Sequence, residues 1–493
     1  MAGDVAGVVA GLTARGATPR AAADDLFGVA GGTAPRAAAA AIVKLLVAGG
    51  ADVHATRSSD GGTPLHVAAS RDAAGAVAAL LTAGADPLAA RRGDGATPVD
   101  TAAKHGAVEA LHLLLAAVPP RAMGAVVARG VYAASKRGQA AAVRALLEDA
   151  AAAGPEGAAA AASAVSARGR DGLLPLHVAT LGGHAGVVAA LLEAGADATI
   201  RCPHGSDCLH IAAAVGADAV ITALLAGGAI PDIDGRNSDG YTALHCAALR
   251  GHGTTVTTLL AAGANVAATT PAGATPLHAA AQCGGGCGGE AVRALLAGGA
   301  SHAATTTLDD STPLFAAACV GALPAVVSLL EAGASPSAAR ANGDTPLAMA
   351  AAGGHYAVAV ALLAAGASPR VASAAGLTPL YSAACLGHTG VVQLLIDTGG
   401  ADVNVRTPDG TTPLYAAAAA GHHDVVTMLL DRGADAGIPR ASGHTPAAAA
   451  AAAGHLALAA TLRRHPTARR GAPPDDDLPA PAPAPAPARL SSS

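Results

Sequence analysis

The sequence has almost no aromatic residues: there is no Trp, and 2 Phe and 5 Tyr stand among 493 residues. A chain of this length is long enough to bury a large core. Without bulky rings, that core must consist of Ala, Leu and Val, and hydrophobic residues make up 52% of the chain. The composition therefore argues against a single globular core and favours thin layers of helix packed on helix.

Cysteine and net charge are also scarce. The seven Cys are an odd number and are scattered, which does not match a disulfide framework. We therefore expect a reducing intracellular compartment, the cytoplasm, with the nucleus as the alternative. The net charge is only -5, so no nucleic-acid partner is expected.

No segment has the length and apolarity of a membrane-spanning helix. The longest apolar run, around 447–462, is broken by Gly454 and His455. The N-terminus has no charged region followed by a long apolar stretch and a cleavage site. We therefore expect no membrane insertion.

Signatures of catalysis are missing as well. The chain has no Gly-rich phosphate loop ending in Gly-Lys-Ser/Thr, no nucleophile elbow and no set of kinase motifs. Cys202, His204, Cys208 and His210 lie close together, but their spacing fits no familiar zinc module. The pair formed by Cys283 and Cys287 is a weak candidate for the same reason. We expect no enzyme activity, no metal and no cofactor.

What the sequence does contain is one motif, Thr-Pro-Leu-His or a close variant, at intervals of roughly 33 residues. This period is typical of a stacked repeat array. The motif begins at Thr63, Thr275, Thr312, Thr378 and Thr412. Related Thr positions are 97, 242, 345 and 445, and Leu174 and Asp207 take the same place in two variant copies.

Each residue of the unit has a physical reason to be there. Thr suits the N-cap of a helix, because its hydroxyl accepts an orphan backbone N–H. Pro fits the first helical position, where the missing N–H costs nothing. Gly387 and Gly421 are placed to end the first helix, and Asp-Gly before the Thr is typical of a hairpin turn. One such unit cannot bury its own apolar face, so neighbouring units must stack.

The complete unit, from Asp409 to Asp435, resembles the ankyrin repeat in its turn residues, its helix residues and its spacing. The resemblance covers roughly 36–465. It implies an all-α ankyrin-repeat solenoid of about 12–13 repeats, in which helix-turn-helix units are joined by β-hairpin-like loops.

The repeat pattern also predicts the organisation of the chain. The expected segments are an N-terminal capping region that includes a partial repeat (1–35), repeats (36–127), a degenerate repeat with an Ala-rich insert (128–170), repeats (171–465) and a disordered Pro/Ala-rich tail (466–493). The insert, Asp149 to Arg168, fits either a loop or an extra helix. The Gly-rich stretch 282–289 predicts a long, mobile turn between two helices.

Most of the 19 histidines are explained by the repeat. One group occupies the His position of the Thr-Pro-Leu-His motif, where the resemblance implies bonds to the backbone and to the capping Thr. Its members are His66, His177, His210, His245 and His278. A second group follows the glycine between the two helices: His184, His252, His355, His388, His422 and His455. We expect structural roles for both groups.

Arginine recurs six residues before the Thr position, on the predicted hairpins. This group is Arg57, Arg91, Arg168, Arg201, Arg236 and Arg406, with Arg340 and Arg440 displaced by one residue. Stacked units are separated by about 10 Å, so these residues should form a column. The column either binds an acidic partner along its length, or it only reflects the residue that is common at this position of the repeat.

A second candidate surface lies seven and eight residues after the Thr position, at the end of the first helix. Its members are Leu181, Val215, Leu249, Cys319, Val320, Cys385 and Leu386. An exposed apolar strip marks an interaction site, although Ala and Leu fill many positions of so apolar a chain.

The resemblance implies a protein-binding scaffold or adaptor whose partner lies on the concave face. We expect a monomer that binds a protein segment with acidic and aliphatic groups. The alternative is a regulatory or substrate-receptor subunit of a larger complex, such as a ubiquitin ligase.

Overall fold

The computed structural model describes residues 26–30, 36–284, 288–465 and 467, and the regular elements in these ranges are helices without any strand. Their packing divides the chain into two compact units, Met1–Ser238 and Asp239–Ser493. We call these the N-terminal unit and the C-terminal unit and describe each by itself.

The helices begin and end where the repeat unit predicts. In one example, the Thr312 hydroxyl accepts the Phe315 N–H at 3.2 Å, and Pro313 is the first helical residue. Gly321 ends the helix with a φ of 73°, a left-handed conformation that an L side chain rarely adopts. Thr97, Thr242, Thr345, Thr378, Thr412 and Thr445 cap their helices in the same way.

The N-terminal unit begins, among the described residues, with a helical segment at 26–30. Twelve helices follow it: α1 (Arg36–Ala48), α2 (Pro64–Ser70), α3 (Ala74–Thr82), α4 (Pro98–His105), α5 (Val108–Ala116), α6 (Pro120–Lys136), α7 (Ala140–Ala152), α8 (Pro155–Ala164), α9 (Pro175–Leu181), α10 (Ala185–Glu193), α11 (Cys208–Val215) and α12 (Asp218–Ala226).

These helices form two rows. The first helices of the repeats, α2, α4, α6, α9 and α11, pack side by side in chain order. The second helices, α1, α3, α5, α7, α10 and α12, pack in a parallel row behind them. Leu80, Leu114 and Leu191 of the second row are fully buried, so the two rows enclose a thin core of Leu, Val and Ala.

The degenerate repeat departs most from the pattern. Its first helix, α6, begins at Pro120, ahead of residue 128, where the repeat pattern predicted the start of this copy, and it has 17 residues. The Ala-rich insert contains an extra helix, α8, which packs against α6 and α7. Gly157, Ala160 and Ala164 form the buried side of α8. The N-terminal part of α6 therefore stands where other repeats have the hairpin before their first helix, and α8 lengthens the connection to the hairpin at 168–173.

The C-terminal unit has the helices α13 (Ala243–Leu249), α14 (Gly253–Ala261), α15 (Pro276–Ala281), α16 (Gly288–Ala297), α17 (Pro313–Val320), α18 (Leu323–Glu331), α19 (Pro346–Ala352), α20 (Tyr356–Ala364), α21 (Pro379–Leu386), α22 (Thr389–Asp397), α23 (Pro413–Ala420), α24 (His423–Asp431), α25 (Pro446–Ala452) and α26 (Leu456–Arg464). The odd-numbered helices form its first row, and the even-numbered helices form its second row.

Consecutive hairpins of the C-terminal unit are joined by backbone hydrogen bonds. Ala341 N–H donates to the Asp309 carbonyl at 3.0 Å, and Ala441 N–H donates to the Asp409 carbonyl at 2.9 Å. The hairpins therefore lie in register along the edge of the first-helix row.

The described helices form twelve pairs, and the segment 26–30 with α1 forms a further pair. This agrees with the expected all-α solenoid and its number of repeats. The predicted N-terminal capping region lies mostly outside the described residues. The predicted Pro/Ala-rich tail lies outside them except for Thr467, and the predicted long turn at 282–289 is described only in part.

Candidate partner-binding face

The hairpin arginines near the N-terminus are engaged by carboxylates. Arg91 lies 2.7 Å from Asp94 of its own hairpin and 3.7 Å from Asp60 of the preceding one, and only 18% of its side chain is exposed. Arg57 lies 3.9 Å from Asp60, and its guanidinium carbon is 5.4 Å from the centre of the Phe27 ring. Arg91 therefore links two hairpins, and Arg57 links its hairpin to the helical segment 26–30.

Three further arginines of the column donate to backbone carbonyls. Arg168 bonds to Gly172 of its own hairpin at 2.6 Å. Arg201 reaches the carbonyl of Arg236, one repeat later, at 2.6 Å, and Arg406 reaches that of Pro439 at 2.8 Å. All three guanidinium groups are exposed, so N–H groups beyond the one in each bond remain available to a partner. The Arg201 bond places two members of the column in neighbouring hairpins.

The two displaced arginines have a different surrounding. Arg340 forms an ion pair with Asp309, and Arg440 lies 2.9 Å from Asp409, in each case on the preceding hairpin. Partial burial lowers the pKa of Arg440, but its contacts with Tyr415 and Asp409 outweigh that effect and raise it. Both displaced side chains therefore reach back to the preceding repeat, as Arg91 also does through Asp60.

The predicted apolar positions lie in the last turn of the first helices. In the N-terminal unit, Leu181 is 48% exposed and Val215 is 41% exposed. In the C-terminal unit, Leu249 is 39% exposed and Leu386 is half-buried. Large aliphatic side chains at these exposures cost free energy in water, which a partner would recover by covering them.

In the repeats that begin with α2, α4 and α6, these positions contain basic residues, which the sequence analysis missed. Counting from Thr63 and Thr97 places Arg71, Lys104 and His105 there. In the degenerate repeat, alignment of Gly138 with Gly106 places Lys136 and Arg137 there. The signal for these basic residues is their position: they lie seven or eight residues after the Thr position or its equivalent, as the apolar residues do in other copies.

The histidines of the Thr-Pro-Leu-His motif link neighbouring repeats. The Nε2–H of His66 donates to the Ala96 carbonyl at 2.9 Å, while its Nδ1 accepts the Thr63 N–H at 3.1 Å. His278 makes the same two bonds, to Ser311 at 2.9 Å and from Thr275 at 3.2 Å. Burial lowers the pKa of His66, His177 and His278, which keeps these rings neutral.

The histidines that follow the turn glycine also bond to the preceding repeat. The Nε2–H groups of His355, His388 and His422 donate to the carbonyls of Cys319, Ala352 and Cys385 at 2.9–3.2 Å. Gly321 and Gly387 lie against the rings of His355 and His422, where a Cβ would clash. These contacts agree with the structural roles expected for this group.

The candidate metal ligands do not form a cluster. Cys202 and Cys208 are both buried, and burial raises the pKa of the Cys208 thiol to about 12. Throughout the described ranges, no group of three or more His, Cys, Asp or Glu side chains is arranged to hold a metal ion. Cys287, the partner proposed for Cys283, lies outside the described residues. In the part of the chain that the structure describes, no helix combines the length and apolarity needed to cross a bilayer.

Comparison with known families agrees with this geometry. A family model described as ankyrin repeats (3 copies) matches well over half of the chain, in seven overlapping ranges: 35–122, 176–270, 209–306, 277–373, 314–407, 361–440 and 400–470. The uncovered internal stretch, 123–175, contains most of α6 together with α7 and α8. No curated protein matches the chain.

Proposed function

The chain belongs to the ankyrin-repeat family, and we propose that it is a protein-binding scaffold that holds its partner on the face made by the hairpins and the first helices. Ankyrin repeats are generally modules of protein–protein interaction. The observation that carries the proposal for this chain is the exposure of Leu181 and Val215, each the last residue of the first helix in two consecutive repeats. Exposed aliphatic side chains that lie close together on one face are typical of an interaction site.

The hairpin arginines support the same face. Arg168 and Arg201 are exposed and belong to the same two repeats as Leu181 and Val215. Charged groups at the rim of an interface mainly raise the rate of association, whereas central apolar contacts slow dissociation. The partner on this face would therefore have carboxylates toward the hairpins and aliphatic groups toward the ends of the first helices.

The test is affinity capture with the full chain, followed by binding kinetics with the identified partner. Replacement of Leu181 and Val215 by Asp should raise the dissociation rate about tenfold or more, because apolar contacts are lost. Leu45→Asp is the matched control, since Leu45 is also 48% exposed but lies on a second helix. Equal dissociation rates for the parent and the double variant would contradict the proposed face. Leu249→Asp tests the equivalent position of the C-terminal unit in the same way.

Charge reversal separates the two interpretations of the arginine column. A variant with Arg168, Arg201 and Arg236 replaced by Glu should bind more slowly and with a weaker dependence on salt. A melting curve must accompany it, because Arg201 also holds the Arg236 carbonyl. If the variant associates at the parent's rate at low salt, the column has only a structural role.

The alternative, a substrate-receptor subunit of a ubiquitin ligase, makes a different prediction for the capture. It requires ligase subunits to co-purify in constant proportion with the chain. Recovery of a partner without such subunits favours the scaffold, and turnover by the purified chain in an activity screen would contradict a purely binding role.

A further inference from the structure

The N-terminal unit has a row of side chains at the ends of its first helices whose chemistry changes half-way along. We call it the end-of-helix row; its members are Arg71, Lys104, His105, Lys136, Arg137, Leu181 and Val215. The first five are basic and belong to three consecutive repeats, and the last two are aliphatic and belong to the next two. All are exposed except Lys104, which is half-buried.

Contacts between the turns show that the row is continuous. The Asp72 carboxylate accepts the Ala110 N–H of the next repeat at 2.9 Å. Gly106 lies directly against the Gln139 side chain, and Gly138 lies against the ring of His184. Each turn therefore touches the next, from α2 through α4 and α6 to α9.

The basic half of the row is not neutralised by ion pairs. Arg71, Lys104, Lys136 and Arg137 form no salt bridge with any residue in the described part of the N-terminal unit. Two carboxylates, Asp72 and Glu109, lie on the same turns and only partly offset the four Arg and Lys side chains.

Two other nearby carboxylates are already engaged. Partial burial would raise the pKa of Asp171, but hydrogen bonds from Tyr132 and the Leu173 N–H, with the charge of Lys136, hold it below its usual value. Asp100 of α4 forms an ion pair with Arg129 of α6. The uncompensated charge at the ends of the first helices is therefore positive.

We propose that the end-of-helix row binds one extended protein segment, whose acidic residues cross α2, α4 and α6 and whose aliphatic residues cross α9 and α11. The inference rests on the proposed scaffold function and adds an order to the partner's sequence. Packed helices lie about 8–10 Å apart, and an extended chain advances about 3.3 Å per residue. One carboxylate at about every third residue would therefore match the basic half.

The aliphatic half of the row favours a protein segment over a nucleic acid. Single-stranded nucleic acids bind where aromatic rings stack on bases along a basic groove. The row has no Phe, Tyr or Trp, and the hydroxyl of the neighbouring Tyr132 is held by Asp171 at 2.6–2.7 Å. Leu181 and Val215 have neither a charge nor a hydrogen-bond donor for a phosphate, whereas aliphatic side chains of a protein would bury them.

The test uses the full chain and fluorescent synthetic peptides. One peptide repeats Asp-Ser-Gly three times and then Leu-Ser-Gly twice, and a second has the two blocks in the opposite order. A third replaces every Asp by Asn in the order that binds more tightly, and a single-stranded oligothymidylate tests the nucleic-acid alternative. The protein variant is Lys104→Glu with Lys136→Glu, and the matched control is Lys44→Glu with Arg144→Glu on second helices.

We expect one of the two Asp peptides to bind, and the Asn peptide to bind about tenfold more weakly, because charge pairing is lost. The Lys104/Lys136 variant should lose about tenfold in affinity for the Asp peptide, and the control should retain the parent's affinity. The inference is overturned if neither order binds, if the variant matches the parent, or if oligothymidylate binds most tightly. If the captured natural partner still depends on Leu181 and Val215 in that case, the scaffold function stands and only the ordered segment is wrong.

Discussion

Arg340 lies over the ring of Phe315, with its guanidinium carbon 5.0 Å from the ring centre. Phe315 occupies the position where other repeats have the histidine of the Thr-Pro-Leu-His motif. Arg340 belongs to the next hairpin and pairs with Asp309. A related group is formed by Tyr415, Arg440 and Asp409, in which Arg440 donates a hydrogen bond to the Tyr415 hydroxyl and pairs with Asp409. In both groups, an arginine of the next hairpin holds the ring that stands in place of the histidine.

This relationship predicts that Arg340→Ala destabilises the C-terminal unit by about 1–2 kcal/mol, because a partly buried cation–π contact and an ion pair are both lost. Urea denaturation measures the change, and hydrogen exchange over residues 309–345 locates it. Arg293→Ala is the control, since Arg293 is exposed on α16 and should change stability by less than about 0.5 kcal/mol. Equal effects of the two substitutions would refute the structural role of Arg340.

The regular repeats could be predicted from sequence, because the period fixes where each helix begins. Thr312, Pro313 and Gly321 have the roles that their positions indicate. The histidine bonds could also be predicted, since the resemblance implied bonds to the backbone and the capping Thr, as His66 makes. In these copies local preference, hydrophobic pattern and turn residues all favour the same structure.

The degenerate repeat could not be predicted in the same way. Where its hairpin would stand, α6 is already helical, so no hairpin carbonyl is available to the preceding repeat. That repeat has Asp100 in place of the histidine, and Arg129 of α6 bonds both to Asp100 and to the Gly95 carbonyl. A pattern indicates that a position has changed, but only the packed helices show which side chain replaces the lost bond.

The arginine column illustrates a second limit. Sequence spacing separates Arg340 and Arg440 from the other members by one residue, but spacing does not show which neighbouring group each side chain contacts. The spacing alone gave no reason to expect Arg340 to turn toward Phe315, because the direction depends on the hairpin and on the ring beside it.

The second prediction concerns the core between the rows. Leu395 of α22 is fully buried, so Leu395→Ala should reduce the free energy of unfolding by about 2–5 kcal/mol through lost burial and the cavity left behind. Leu456→Ala on α26 is the control, because Leu456 is 70% exposed. Chemical denaturation of both variants should show a large change only for Leu395, and a small one there would mean that this site collapses easily.

The third prediction concerns the extra helix α8. A Cβ on Gly157 would overlap the Ala150 carbonyl oxygen, so Gly157→Ala should cost about 1–3 kcal/mol and loosen α8 from α7. Limited proteolysis with elastase should then cut between 153 and 170 faster than in the parent. Gly124→Ala is the matched control, because a Cβ there would meet only the Ala160 Cβ at 3.9 Å. Unchanged cleavage in the Gly157 variant would show that α8 is not held by this contact.

The fourth prediction is a loss of stability in mild acid. Burial lowers the pKa of His278 below its usual 6.5, so the folded protein binds fewer protons than the unfolded chain between that value and the lowered one. Unfolding is therefore favoured as the pH falls through this window, by up to about 1.4 kcal/mol per pH unit for each such histidine. His66 and His177 act in the same direction. The carboxylates whose pKa is lowered, such as Asp309, add to the loss only below about pH 3.8.

His278→Phe tests the histidine contribution, because Phe315 fills the same position in another repeat and has no ionisable group. The variant loses the bond to the Ser311 carbonyl and should be less stable at pH 7.5 by about 1–3 kcal/mol. Its urea midpoint should nevertheless fall less steeply than the parent's between pH 6.5 and 4, while the two slopes coincide above pH 7. A captured partner should bind the folded variant as it binds the parent, since His278 is 1% exposed. Parallel slopes in acid, or lost binding by a folded variant, would contradict the structural assignment of this histidine.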